Sequence, residues 1–95
     1  MADVFKALAD ETRRLILDEL AARSGQTLFE ICSVLLMRHG VDVSRQAISQ
    51  HLAVLEAAGL VTTERRGRSK LHFFDPTPLQ ELSQRWLPSG PKDPT

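Results

Sequence analysis

The chain has 95 residues, 42% of them hydrophobic and 25% charged, and its formal net charge at pH 7 is zero. This length allows one domain, and the composition excludes a disordered or membrane-spanning chain, because no apolar run approaches the ~20 residues that a bilayer requires. The single cysteine excludes an intrachain disulfide and suits a reducing compartment, and without an apolar signal segment we expect a cytoplasmic protein.

The charges are distributed unevenly along the chain. Residues 1–37 carry four basic and six acidic side chains (net −2), residues 38–70 carry six and three (net +3), and residues 71–95 carry two and three (net −1). A local excess of positive charge is the footprint of a nucleic-acid-binding surface. Double-stranded DNA is therefore a candidate partner despite the neutral total.

A short helix is predicted over residues 2–8. Its apolar side consists of Val4, Phe5 and Leu8. From the sequence alone, this side packs either against the domain's own core or against a second subunit.

The next helix is predicted over residues 11–22, after Asp10, which is a good N-cap. Its inward stripe consists of Leu15, Ile16, Glu19 and Leu20. Arg13 and Arg14 fall outside this stripe, so we expect both to lie on a solvated face.

A capping box opens the third predicted helix. The hydroxyl of Thr27 can accept from the backbone N–H of Glu30, whose carboxylate can accept from Thr27 in return. The helix should run to about His39 and end at Gly40. Its core stripe consists of Leu28, Ile31, Val34 and Leu35.

Residues 44–59 carry the strongest functional signal. Ser44 can cap the helix, and Gly59 can end it. A buried stripe at helical spacing consists of Ile48, Leu52, Leu55 and Ala58. The opposite face consists of Arg45, Gln46, Ser49, Gln50 and Ala53. Arginine and glutamine read base edges in the major groove, so this is either a DNA recognition helix or an ordinary polar surface helix.

Residues 60–75 are predicted to form a two-stranded hairpin with its turn at residues 66–69. The alternation pairs one face of each strand: Val61, Thr63 and Arg65 opposite Lys70, His72 and Phe74. The basic side chains near the turn are Arg65, Arg66, Arg68 and Lys70. Such a basic tip suits a sugar-phosphate backbone or a minor groove; the alternative is a solubilising loop.

A last helix is predicted with Thr77 as its N-cap and Gln80 completing a second capping box. Its apolar face consists of Leu79, Leu82 and Trp86. A partner subunit is a natural cover for this tryptophan. Residues 88–95 contain three prolines and no apolar anchor and are predicted to be disordered, so the domain comprises residues 1–87.

Helix, turn, helix and hairpin in this order predict a winged helix-turn-helix. The sequence of residues 44–61, SRQAISQHLAVLEAAGLV, resembles the recognition-helix signature of the ArsR/SmtB-type bacterial repressors, and residues 5–20, FKALADETRRLILDEL, resemble the opening of that family. The resemblance spans residues 4–87. It implies a mainly α fold with a small β-hairpin (α+β), with about five helices and a two-stranded wing, in a homodimer that binds a pseudo-palindromic operator. The helix before the turn is several residues longer than is usual in the family.

The residue pattern and the resemblance together define two candidate surfaces. The candidate DNA-binding residues are Ser44, Arg45, Gln46, Ser49, Gln50, His51, Arg65, Arg66, Arg68 and Lys70. The candidate dimer-interface residues are Val4, Phe5, Leu8, Leu79, Leu82 and Trp86.

No metal site, cofactor or catalytic site is predicted. Metal-sensing members of the family use cysteines, or carboxylates and histidines, whereas this chain has Thr27 and Phe29 near the cysteine positions and Cys32 as its single thiol. Cys32 falls on or beside an apolar stripe, which favours an inert thiol. Neither a Ser–His–Asp arrangement nor a glycine-rich phosphate loop is recognisable. The leading interpretation is a DNA-binding repressor; the alternatives are a protein-interaction module of the same fold and a thiol- or ligand-responsive sensor acting through Cys32.

Overall fold

The computed structural model describes residues 3–86, so the predicted disordered tail at residues 88–95 lies outside the described residues. The elements in chain order are α1 (Val4–Leu8), α2 (Glu11–Ala22), α3 (Leu28–His39), α4 (Arg45–Ala57), β1 (Val61–Arg66), β2 (Ser69–Phe74) and α5 (Thr77–Trp86). Within this part of the chain, five helices and one antiparallel hairpin confirm the predicted winged helix-turn-helix. None of these helices has the length and apolar character needed to cross a membrane.

Side-chain caps determine where the first four helices begin. Asp10 and Ser44 each accept a hydrogen bond at 3.0 Å from the backbone N–H three residues on, as predicted. Thr27 and Glu30 form the predicted capping box, and the backbone N–H of Thr27 is the main cause of the lowered pKa of Glu30. Asp3 caps α1 in the same way; the sequence analysis missed this cap and began the helix at residue 2.

A single hydrophobic core lies between α2, α3 and α4 and extends under the hairpin. Its buried members are Ala7, Ile16, Leu17, Leu20, Ile31, Leu35, Ile48, Leu52, Leu55, Ala58, Leu60 and Val61. The predicted stripe of α4 is therefore buried in full. Each fully buried leucine or isoleucine contributes about 1.5–3 kcal/mol relative to an exposed one, so these contacts fix which side of α4 faces outward.

Glu19 is the charged residue that the predicted stripe of α2 placed inward, and its side chain is only 9% exposed. Its Oε2 lies 2.7 Å from Nε2 of His39, and its Oε1 lies 3.6 Å from Nη1 of Arg38. Both partners belong to the last turn of α3. The carboxylate thus holds the end of α3 against α2, just before Gly40 ends the helix with a φ of 68°, a conformation that glycine adopts without steric cost.

The prediction that Arg13 and Arg14 lie on a solvated face is wrong for Arg13, which is half-buried. Arg14 is exposed as predicted, but it also makes a hydrogen bond that the sequence did not predict. Arg13 donates from Nε to the carbonyl of Ala7 at 2.8 Å and from Nη2 to that of Lys6 at 3.2 Å. Arg14 donates to the carbonyl of Leu8 at 2.7 Å. The carbonyls in the last turn of a helix have no hydrogen-bond donor within that helix. The two guanidinium groups provide donors for these carbonyls of α1.

A backbone bridge that the sequence did not predict attaches the hairpin to the helices. Gln26, between α2 and α3, exchanges two backbone hydrogen bonds with His72 of β2, at 3.2 and 2.8 Å. Both residues are buried. The amide of Gln26 donates to the carbonyls of Glu19 and Arg23, and Nδ1 of His72 donates to the carbonyl of Gln26 at 2.9 Å. The hairpin is therefore fixed to the end of α2.

The predicted capping box at the start of α5 is wrong. Thr77 is already part of the helix, and its backbone N–H donates to Oδ1 of Asp75 at 2.9 Å. The N–H of Gln80 donates to the carbonyl of Pro76. Hydrogen bonds from the side chain and backbone of Thr77 lower the pKa of Asp75. The helix starts earlier than predicted because Asp75 is close enough to satisfy its first free N–H.

Thr27→Ala should lower the free energy of unfolding by about 1 kcal/mol, because the N–H of Glu30 then loses its acceptor. Urea denaturation followed by circular dichroism measures this change. Thr27→Ser keeps the hydroxyl and is the matched control, expected to stay within about 0.5 kcal/mol of wild type. Equal stability of the alanine and serine variants would show that the capping box contributes nothing.

Candidate nucleic-acid interface

One exposed face of α4, together with its N-cap, carries half of the ten residues predicted to contact DNA. We call this the reading face; its members are Ser44, Arg45, Gln46, Ser49 and Gln50, all of them exposed. Because the opposite side of the same helix is buried in the core, the reading face is presented to solvent on a rigid support.

His51 is the one predicted α4 residue that does not belong to the reading face. It is half-buried, and its Nδ1 lies 3.2 Å from Nη1 of Arg13 in α2. Oδ1 of Asp10 is 4.0 Å from the same nitrogen. The backbone N–H of Arg13 is the main cause of the lowered pKa of Asp10. The structure therefore places His51 between α4 and the start of α2.

The wing, formed by β1 and β2, has the predicted register. Thr63 pairs with His72, and Arg65 pairs with Lys70. Its turn is a two-residue connection that begins at Gly67, whose φ is 59°. A two-residue hairpin turn requires a positive φ at this position, and glycine adopts it readily. The turn thus brings both basic strand ends to one tip.

The wing tip is positively charged and exposed. Its basic residues are Arg65, Arg66, Arg68 and Lys70, each of them exposed. Arg66 lies 3.4 Å from Glu64, and Lys70 lies 4.0 Å from Glu56. Exposed ion pairs of this kind are worth little, so phosphate groups can compete for these cations.

The wing meets α4 and the start of α3 at one cleft, which a single member of the reading face, Ser49, helps to line. This cleft has a volume of about 450 Å³, and its lining includes Ser49 and Glu56 from α4 together with Arg68 and Lys70 from the wing. Ser49 of α4 and the wing cations Arg68 and Lys70, which the sequence identified separately, are thus neighbours in space. A cleft with polar helix residues on one side and cations on the other can receive a nucleic-acid strand.

Phe29 is a candidate site residue that the sequence analysis treated only as the replacement of a metal-ligand position. It is 64% exposed, and the guanidinium of Arg45 lies 5.9 Å from the centre of its ring. A cation–π contact of this kind restrains a long side chain. The sequence signal that could have identified Phe29 was an aromatic residue in the first turn of α3 that falls outside the predicted core stripe.

The predicted dimer-interface residues divide into two groups. Val4, Leu8 and Leu79 are partly buried against the chain's own core. Phe5 and Trp86 are about 60% exposed, at 60% and 62%, and their ring centres are 6.2 Å apart. Leu82 helps to line a groove of about 310 Å³ between α5 and the end of α4, to which α1 contributes Val4. No residue of α5 is buried, so its apolar side is incompletely covered within residues 3–86.

Cys32 is half-buried on α3, and desolvation raises the pKa of its thiol. Reactive sensor thiols instead have a lowered pKa in an electropositive setting. Among residues 3–86, no group of three or more histidine, cysteine, aspartate or glutamate side chains is arranged to hold a metal ion.

The chain matches a family model described as a helix-turn-helix domain over residues 8–64. It is 48% identical over 84 residues to the HTH-type transcriptional regulator YuzN of Bacillus subtilis (strain 168), covering 88% of this chain and 91% of that one. It superposes on an ArsR-like transcriptional regulator from Rhodococcus sp. RHA1 with a TM-score of 0.73 and 36% identity, covering 86% of this chain and 69% of the other. The chain belongs to the ArsR family of transcriptional regulators.

As a member of the ArsR family, the protein is a DNA-binding transcriptional regulator and not an enzyme. It is also 33% identical to the transcriptional repressor SdpR of Bacillus subtilis (strain 168), over 92% of this chain and 88% of that one. The predicted family, fold class and general function are thereby confirmed.

Cys32 should react with iodoacetamide at pH 7.5 several-fold more slowly than N-acetylcysteine, because the thiolate is the nucleophile and burial disfavours it. Mass spectrometry of quenched samples measures the rate. The same chain in urea is the control, where the rate should rise to that of the free thiol. A native rate equal to or above that of N-acetylcysteine would favour the thiol-sensor interpretation.

Proposed function

We propose that this chain is a homodimeric repressor that inserts α4 into the major groove of a pseudo-palindromic operator and lays its wing along the backbone or in the minor groove. The observation that carries the proposal is an exposed polar face on α4 beside an exposed basic wing, with Ser49, Arg68 and Lys70 lining one cleft between them. The proposed contact residues are the reading face and the cations Arg65, Arg66, Arg68 and Lys70; His51, which the sequence predicted as a contact, is left out because its ring packs against Arg13.

The dimensions and chemistry of α4 suit this role. A helix of 13 residues is about 20 Å long, and the major groove is wide enough to admit it. Arg45 and Gln46 lie in its first turn, where side chains of a recognition helix reach base edges. Gln46 and Gln50 can pair with adenine, and Arg45 can pair with guanine or a phosphate.

We further propose that α1 and α5 form the subunit contact. The exposed rings of Phe5 and Trp86 and the groove beside Leu82 leave apolar surface that a second copy can cover. A domain of this size buries only a modest share of its surface alone. Two copies related by a two-fold axis would present two α4 helices to two operator half-sites. A chromosomal operator implies a location in the cytoplasm.

Gln46→Ala should weaken binding to the operator by about 1–3 kcal/mol and relax discrimination at one base pair in each half-site. Arg68→Ala should instead weaken operator and scrambled DNA nearly alike. It should also reduce the salt slope by about one unit for each lost phosphate contact, or about two for a dimer. Binding isotherms at several salt concentrations, on an operator selected from genomic DNA and on scrambled DNA, measure both quantities.

Arg23→Ala is the matched control for the loss of one arginine. Arg23 lies at the end of α2 and pairs with Glu30 at 3.5 Å, so its removal should leave the salt slope unchanged. If Gln46→Ala and Arg68→Ala both bind DNA like wild type, α4 and the wing do not face DNA. The protein-interaction module then becomes the better interpretation.

Leu82→Asp should give a monomer that binds the operator weakly, because a charge placed on the apolar side of α5 opposes the proposed subunit contact. Sedimentation velocity at micromolar concentration measures the assembly state. Leu36→Asp introduces the same charge at an exposed site on α3 and should remain dimeric. A wild-type chain that sediments as a monomer would contradict the proposed dimer.

A further inference from the structure

Arg13 of α2 contacts both α1, which is part of the proposed subunit contact, and α4, which is proposed to enter the major groove. We propose that Arg13 and His51 are a positioning pair that locks α4 to α1, so that subunit pairing also fixes the direction in which each α4 meets DNA. This inference rests on the proposed function, because it takes α1 as part of the subunit contact and α4 as the helix in the groove.

On the α1 side, Arg13 holds the end of a helix that cannot persist alone. Its guanidinium donates to the carbonyls of Ala7 at 2.8 Å and Lys6 at 3.2 Å. A helix of five residues is far shorter than the ~12 residues at which isolated helices become marginally stable. The planar guanidinium engages two successive carbonyls from one rigid group. It therefore fixes the orientation of α1 as well as its position.

On the α4 side, the contact determines which nitrogen of the His51 ring accepts a hydrogen bond. Nη1 of Arg13 lies 3.2 Å from Nδ1 of His51. Arginine has donors and no acceptor, so Nδ1 accepts this hydrogen bond and the ring proton lies on Nε2. Oδ1 of Asp10, at 4.0 Å from Nδ1, is too distant for a hydrogen bond. The pair is thus a directional link from the guanidinium of Arg13 to one nitrogen of the His51 ring.

This link supplies a restraint that the apolar contacts of α4 do not. Burial of Leu52 and Leu55 fixes which side of α4 faces inward, but hydrophobic contact is non-directional. A small rotation or slide of the helix would cost little apolar area. A hydrogen bond at His51, in the middle of α4, resists such a movement because it weakens steeply with angle. Small changes in the direction of α4 decide whether two reading faces fit two half-sites together.

Arg14 provides a matched control inside the same helix. It also donates to α1, to the carbonyl of Leu8 at 2.7 Å. It lies on the exposed side of α2, and this hydrogen bond does not involve α4. Arg14→Gln and Arg13→Gln therefore remove the same charge and both weaken the attachment of α1, by one hydrogen bond at Arg14 and by two at Arg13. Of the two, Arg13→Gln alone removes a link to α4, and His51→Leu breaks that link while leaving both α1 bonds of Arg13 in place.

The test measures discrimination between half-site spacings. Operators with one or two base pairs inserted between the half-sites rotate one half-site by about 34° per base pair, and wild type should bind them much more weakly than the native operator. Arg13→Gln should reduce this preference by about tenfold, the scale of one hydrogen bond to a charged group. Arg14→Gln should keep it. Circular dichroism and thermal unfolding confirm that each variant is folded.

Two substitutions at His51 distinguish the effect of losing the hydrogen bond from the effect of losing the packing of the ring. His51→Asn keeps an acceptor near the position of Nδ1 and should retain most of the spacing preference. His51→Leu removes the acceptor and should behave like Arg13→Gln. The double variant Arg13→Gln/His51→Leu should lose no more than either single one, because both remove the same interaction.

A measurement without DNA tests the link itself. Long-range ¹H–¹⁵N spectra at pH 8 should show His51 with its proton on Nε2 in wild type, and a mixture of tautomers in Arg13→Gln. A wild-type ring protonated on Nδ1 would overturn the inference. So would an Arg13→Gln variant that discriminates spacings as well as Arg14→Gln does. A wild-type chain indifferent to spacing would instead overturn the proposed dimeric function, and the inference with it.

Discussion

The burial of one side of α4 is the constraint on which the rest of the structure depends. Ile48, Leu52 and Leu55 are almost completely removed from solvent, and no other side of this helix could replace them in the core. The residues between them must then point outward. The polar reading face is therefore a consequence of core packing, and the chain can vary its outer residues without altering the support that holds them.

Buried polar contacts hold the elements around α4 in place. Glu19 binds the last turn of α3 through His39, just ahead of the turn into α4, and Gln26 fixes β2 through its bridge to His72. Groups of this kind are costly to bury without partners, and every buried polar side-chain atom within the described residues has one. The helix-turn-helix and the wing are consequently attached to the same helix, α2.

Local charge, and not total charge, suits this chain for DNA. Its formal net charge is zero, so long-range attraction to a polyanion is weak compared with that of a basic domain. The fold compensates by bringing Arg68 and Lys70 of the wing to the cleft that Ser49 of α4 lines.

The sequence by itself determined the helices, their caps at Asp10, Thr27 and Ser44, and the register of the wing, because these follow from spacing and neighbours within a few residues. It could not determine what Arg13 or Gln26 contacts, since their partners lie far along the chain. Arg13 meets His51 38 positions later, and Gln26 meets His72 46 positions later. Only the packing of α2 against α4 and β2 brings these groups together, so only the tertiary structure decided their roles.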